Sequence, residues 1–282
     1  MERPDLLSRR SLLTVAALSI PAMAGGCGHP RAADHPSPPT PSIRPADESH
    51  ALAHELAADL TPVDWGTNLP GVTTSVPTSP GCRTIALTFD ACGGPNGSGV
   101  DHALLETLRS LQVSATLFLN NRWLLAHPIL AAELVADPLF QIENHGTRHR
   151  PLSVQGRSAY DIEGTEDLDS VVQEIELNRR FLNYTYGVNS TWFRSGTAHY
   201  DDVAVKIAHG LGVKIAGYGV NADAGGTAPP SEVASSVVDA PDGAIILAHM
   251  NQPDSGTATG IGEAARQLGD QGVRFALLDS AA

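Results

Sequence analysis

Beyond residue 10 the chain has no block rich in lysine or arginine, and its net charge is −13. Phosphate backbones need a concentrated basic surface, so a nucleic-acid partner is excluded. A long hydrophobic run is missing as well. The apolar stretch from Leu12 to Ala24 is broken by Pro21 and falls short of the roughly 20 residues that span a bilayer. Cysteines number three, and neither Cys82 nor Cys92 has metal-ligand spacing. A straight strand between these two would hold their α-carbons beyond the ~7 Å reach of a bridge, so two free thiols are expected. Nucleotide-binding signatures are absent too, with no Rossmann glycine fingerprint and no Gly-Lys-Ser/Thr after the glycines at 93–99.

What is present is a globular composition, with 42% hydrophobic and 17% charged residues. The first quarter differs from the rest, and the remaining ~200 residues suit one domain with a sizeable core. Residues 1–26 read as an address. Ser8, Arg9 and Arg10 precede the short apolar run, the pattern of twin-arginine export. Ala22-Met23-Ala24 is a small-x-small cleavage pattern, and Gly25-Gly26-Cys27 is similar to a lipobox, with Ala24 where leucine is usual. The expectation is an exported protein of the cell envelope or exterior, with Cys27 as the candidate lipid anchor and only link to a membrane. Residues 27–81 read as a Pro/Ala/Ser-rich tether and loop, with a short helix at Glu48 to Leu60. The ordered domain is expected over 82–282.

From Cys82 onward apolar runs alternate with helical spacing. Strands are expected at 84–89, 115–119, 140–143, 191–193, 213–218, 244–248 and 273–278. Helices are expected at 101–111, 128–135, 168–182, 201–208, 231–238 and 261–268, the first and fourth capped by aspartate. About seven parallel strands interleaved with helices suggest an α/β barrel or a related closed parallel sheet. Periodicity alone leaves an open doubly wound sheet standing.

The polar residues suited to chemistry cluster just past strand ends. Asp90 follows the first strand, His145 and His149 the third, Arg194 the fourth, Asn221 and Asp223 the fifth, and His249 the sixth. In a barrel of parallel strands these positions share one face, where active sites form. Two imidazoles with three residues between them converge on one ion if the segment makes a helical turn. Such an ion would polarise an amide carbonyl and lower the pKa of water. Arg194 is a candidate partner holding Asp90 ionised, and Asp223 a candidate carboxylate orienting a protonated His249. Each residue has a plain structural alternative: a capping aspartate, two surface histidines, a rim ion pair, a hydrogen-bonded core histidine.

In this order the motifs resemble those of the polysaccharide deacetylase family, also called the NodB-homology domain or carbohydrate esterase family 4. Thr88-Phe89-Asp90-Ala91 is similar to that family's first motif, Thr-Phe-Asp-Asp-Gly, and His145-Gly146-Thr147-Arg148-His149 to its His-Ser/Thr-x-x-His. Arg194, Asn221-Ala222-Asp223 and Leu247-Ala248-His249 match its later motifs, with Ser195-Gly196 replacing the usual Pro-Tyr. The likeness covers about Cys82 to Leu278. It implies a distorted (β/α) barrel and a divalent ion, zinc or similar. Asp90 would be the general base, His145 and His149 metal ligands, and His249 the general acid. Arg194 would orient Asp90, and Asp223 would tune His249. Backbone N–H groups near Gly196 or Thr197 would hold the oxyanion. The implied activity is removal of N-acetyl groups from amino sugars of a cell-wall or related polysaccharide, by a monomer.

One departure matters, because Ala91 stands where the family has a metal-binding aspartate. Three accounts compete: Asp90 itself coordinates the ion, Asp101 or another carboxylate substitutes, or the metal is weak or absent. The rival functions are an inactive carbohydrate-binding member of the same fold, an O-deacetylase or other metal-dependent hydrolase, and a structural envelope protein.

Overall fold

The computed structural model describes residues 43–279. The twin arginines, the cleavage site and Cys27 lie outside the described residues. In chain order the elements are α1 (Ala46–Ala57), β1 (Trp65–Gly66), β2 (Val72–Thr73), β3 (Thr84–Ala91), α2 (His102–Ser110), β4 (Ala115–Leu119), α3 (Asn121–Ala126) and α4 (Pro128–Ala136). Then come β5 (Phe140–Asn144), α5 (Leu168–Tyr186), β6 (Trp192–Phe193), β7 (Tyr200–Asp201), α6 (Asp202–Gly210) and β8 (Lys214–Ala216). The chain ends with β9 (Val220–Asn221), α7 (Pro230–Val238), β10 (Ile245–His249), α8 (Thr257–Asp270) and β11 (Arg274–Phe275).

Nine strands form one parallel sheet in the order β2-β8-β6-β5-β4-β3-β10-β9, with β11 also on β3. The fold is the α/β, barrel-like curled parallel sheet expected from the alternation, and the open doubly wound alternative is set aside. Closure depends on the run expected as one strand over 213–218. Its first half, β8, pairs with β6, and after a break at Gly217–Gly219 its continuation, β9, pairs with β10 on the other side. The gap at the break is filled from outside. Gly217 donates to the Thr73 carbonyl, Ile245 to Thr74, and Val76 to Gly243. Residues 61–76 carry proline, glycine and threonine and show no apolar period, yet 72–76 join the sheet by backbone pairing, with Val76 in the core beside Ala86 and Ile245. Helix α1 adds Ala53 and Ala57 to the apolar cluster beneath α5 and α6. The described part of this segment, residues 43–81, therefore packs against the domain.

The pleat of β3 sorts its side chains. Ile85, Leu87, Phe89 and Ala91 face the helix layer with Leu104, Leu105 and Leu108 of α2. Ala86 faces the barrel interior with Phe118 and Ile245, and Thr88 and Asp90 follow it on that side. Successive residues of a strand alternate faces, so Cys92, just past the strand, falls on the side of Asp90. Asp101 caps α2 by accepting from the Leu104 N–H (2.9 Å), and Asp201 caps α6 by accepting from Ala204 (2.7 Å). Cys82 is disulfide-bonded while Cys92 carries a free thiol, so the expectation of two free thiols fails at Cys82. The two are not joined to each other, as the length of β3 requires. Among the described residues no helix is long and apolar enough to cross a membrane.

Strand β6 has only two residues, and one registered pair joins it to β5, Asn144 with Phe193. A buried carboxylate completes the junction. Glu143 Oε2 accepts from the N–H groups of Thr191 (3.0 Å) and Trp192 (2.9 Å) and from Ser190 Oγ (2.7 Å). Burial pushes this carboxyl up to about 7 despite those donors. A folded-state value above the unfolded one makes the group's contribution largest below about pH 4.5 and removes it as pH rises through 7. Glu143→Gln should therefore lose less stability than the parent between pH 5 and pH 8, by about 3 kcal/mol at most. Urea denaturation at the two pH values checks this. The same pH dependence in both proteins would refute the assignment.

Candidate active site

Because the strands are parallel, the residues ending β3, β5, β6 and β10 meet at one mouth. His249 lies in register with Asp90. Asp90 is almost fully buried, and its Oδ1 accepts from Arg194 Nη1 at 2.8 Å. Arg194 is wholly buried. It also donates to Thr88 Oγ1 and to the Ala216 and Gly217 carbonyls, and its guanidinium lies 4.3 Å over the Phe118 ring. Burial raises the Asp90 pKa, but Arg194, with His145 and His249, outweighs it and holds the carboxyl below its usual range.

His145 and His149 come together without a helical turn, so that expectation is corrected. Gly146 and His149 both have positive φ, 81° and 64°, and the segment wraps a buried carboxylate. Glu174 accepts from the Arg148 N–H (2.9 Å) and the Arg150 N–H (3.2 Å). The rings meet edge to face with centroids 4.9 Å apart. His145 Nδ1 lies 3.0 Å from the Arg194 carbonyl, which fixes the proton there and leaves Nε2 as a lone pair. That Nε2 is 3.7 Å from Asp90 Oδ2 and 3.8 Å from Cys92 Sγ. Burial, more than any neighbour, lowers the pKa of both rings, His149 well below its ordinary value.

His249 behaves oppositely. Its Nδ1 lies 2.9 Å from Asp223 Oδ1, and Asp223 Oδ2 accepts from the His249 N–H and Thr257 Oγ1. Burial lowers the His249 pKa, but Asp223 outweighs it and the net shift is upward. Asn221 stands beside this pair, accepting from the Ala224 N–H. Asp90, His149, Gly196, Thr197, Asn221 and His249 all line one cavity of about 490 Å³. That is a normal size for a small-ligand site. Asp101 does not line it, since it caps α2.

Residues 78–216 match the sequence model described as polysaccharide deacetylase. Those residues make up a polysaccharide deacetylase domain. Solved structures share the fold. One described as the Bc1960 peptidoglycan N-acetylglucosamine deacetylase is 20% identical, covers 75% of this chain and 92% of its own, and has a TM-score of 0.62. The peptidoglycan deacetylase PdaC from Bacillus subtilis is 21% identical, with 72% and 92% covered and a TM-score of 0.56. A CE4 family pseudoenzyme from Bacillus anthracis is 21% identical, with 72% and 67% covered and a TM-score of 0.59. A search of curated proteins gives no match.

Two departures from the deacetylase motifs now have a structural reading. Ala91 points into the helix layer, away from the cavity. Cys92 lies on the cavity wall, and its Sγ, one nitrogen of His145 and one of His149 all lie within 4.8 Å of one another. Sequence reasoning missed this residue by seeking metal ligands at fixed sequence spacings. The available signal was the two-residue period of β3, which carries the face of Asp90 on to position 92. Second, Gly196 replaces a bulkier residue because a Cβ there would overlap the carbonyl and ring of His149. Gly196→Ala should displace the His149 loop and cost about 1–3 kcal/mol. A denaturation midpoint equal to the parent's would show that the loop does not rest on residue 196.

Proposed function

We propose that this deacetylase-family chain is a metal-dependent hydrolase that removes N-acetyl groups from the amino sugars of a cell-wall or related polysaccharide. The observation that carries the reading is the pair Asp90 and His249, the anion of one favoured by Arg194 and the cation of the other by Asp223, on a cavity lined by Cys92 and His149 with His145 buried beside them. Relatives of the same fold described as peptidoglycan deacetylases support the substrate class. The export signature in residues 1–26 supports action at the cell envelope.

The donor set fits a divalent ion. His149 Nε2 is buried with no hydrogen-bond partner, and both rings are neutral with lone pairs free. Tetrahedral zinc, with bonds of about 2.0–2.3 Å, spaces neighbouring ligands about 3.5 Å apart, close to the 3.8 Å between Cys92 and His145. One thiolate and two imidazoles suit zinc better than calcium or magnesium. Bound by Cys92, His145 and His149, the ion would supply Lewis acidity to the acetyl carbonyl and to water.

The chain's own residues do the rest. Asp90 accepts a proton from the attacking water, whose oxygen bonds to the acetyl carbon. Backbone N–H groups near Gly196 and Thr197 offer donors to the oxygen that gains charge. As the C–N bond breaks, His249 passes its Nε2 proton to the leaving nitrogen, and Asp223 stabilises the cation beforehand. The products are acetate and the free amine. Asp90 acts as base in this scheme rather than as the ligand that replaces position 91.

An inactive carbohydrate binder remains the rival, favoured by Ala91. Acetate release from N-acetylglucosamine oligomers decides between them, and turnover of acetylxylan alone would move the reading to O-deacetylation. Asp90→Asn should lower turnover by at least about 10²-fold with the circular dichroism unchanged. Undiminished release would take Asp90 out of the mechanism. Loading the protein with cobalt(II) tests the ligands without catalysis. The thiolate-to-cobalt charge-transfer absorption should be present in the parent and lost in Cys92→Ser, while a retained band would eliminate Cys92 as a ligand.

A further inference from the structure

The segment between His149 and α5 carries a feature the chemistry above does not use. Ala159 and Ile162 bond to each other through both backbone pairs (3.1 and 2.9 Å), closing a two-residue turn at Tyr160 and Asp161. Both turn residues have positive φ, 51° and 59°. Such a turn normally takes Asn-Gly or Gly-Gly, and an aromatic residue there is strained. Little of the Tyr160 side chain is buried in return, since it is 74% exposed. Strain kept at a surface position points to a function.

Tyr160 is nonetheless held in place. Its ring stands edge-on to His199, with centroids 5.3 Å apart and planes at 86°. His199 Nδ1 is 2.8 Å from the Thr197 carbonyl, and its ring packs on Trp65 at 5.7 Å. Arg157, on the same hairpin, lies 5.1 Å over the Trp65 ring. The hairpin is thereby tied to the wall of the cavity, and Tyr160 and Ile162 line it together with Asp90 and His249.

We infer that Tyr160 is the stacking platform of a sugar subsite beside the reacting residue, receiving the apolar face of a neighbouring pyranose ring of the polymer. A pyranose turns axial C–H groups to one face and hydroxyls outward. An aromatic ring fixed at a wet rim matches the first and leaves the second in water. A site for the acetyl group alone would need no exposed aromatic held there. The inference rests on the glycan-substrate reading, and makes Tyr160 a determinant of chain-length preference rather than of chemistry.

The test uses chitotetraose and N-acetylglucosamine monomer. Calorimetry in an Asp90→Asn background, where turnover does not interfere, should show tetramer binding at least 10-fold weaker with Tyr160→Ala. Tyr160→Phe, which keeps the ring, should bind within about 3-fold of the parent. In otherwise wild-type protein, Tyr160→Ala should raise KM for the tetramer with kcat little changed and leave the monomer unaffected, as loss of uniform binding does. Tetramer affinity and KM unchanged by Tyr160→Ala, alongside acetate release, would overturn the subsite and leave the deacetylase reading standing. Tyr160-dependent binding without acetate release would do the reverse. No tetramer binding by the parent background would overturn the subsite.

Discussion

A single buried guanidinium organises this barrel mouth. Arg194 sits at the end of the shortest part of the sheet, where β6 has two residues and β8 three. Its donors reach Thr88 and Asp90 of β3 and the carbonyls of Ala216 and Gly217, so it joins across the interior strands that share no ladder. A buried charge persists only when paired and fully hydrogen-bonded, and removing one partner of such a pair costs about 3–5 kcal/mol. The carboxylate of Asp90 is thus as much a requirement of Arg194 as the reverse. Glu143 plays a lesser version of the same part at the junction of β5 and β6.

Three histidines at the mouth show how position sets chemistry. His145 and His149 are buried beside each other and beside Arg194 or Arg122, so a second positive charge is disfavoured and both stay neutral. His249 is also buried, but Asp223 meets its ring and its N–H together, and the cation is favoured. The same side chain is therefore suited to act as a Lewis base in two places and as a proton donor in the third, which is the division the proposed amide hydrolysis needs.

Much of this was legible in the sequence, because parallel strands convert order along the chain into position on one face. Asp90, Arg194, Asp223 and His249 could be placed from strand ends alone, and the aspartate caps of α2 and α6 from the start of each apolar period. What was not legible came from backbone geometry without a hydrophobic signature. Residues 72–76 enter the sheet through carbonyls and N–H groups, and α3 is a single short helix. The break at Gly217–Gly219 lets one strand serve two neighbours. The left-handed conformation of His149 replaces the helical turn that its spacing suggested. Tyr160 escaped notice because nothing in its local composition announces that its turn is strained.

Position 91 has the most to say about how such a site tolerates change. A side chain there projects into the layer of Leu105 and Leu119, where an unpaired carboxylate would be costly and an alanine is not. A ligand at 92 follows the pleat into the cavity without bending β3. Exchanging a carboxylate for a thiolate keeps one negative charge beside two neutral imidazoles, so the electrostatics of Asp90 and Arg194 need not be rebuilt. In the proposed site it would alter which ions bind, since sulfur favours zinc and disfavours hard cations. Without a cation, burial and the nearby Asp90 push the Cys92 thiol above its usual range and keep it protonated. Two neutral imidazoles and a neutral thiol then face one another. The proposed ligand set would thus carry its single negative charge only with a cation there to share it, so filling the site would release a proton.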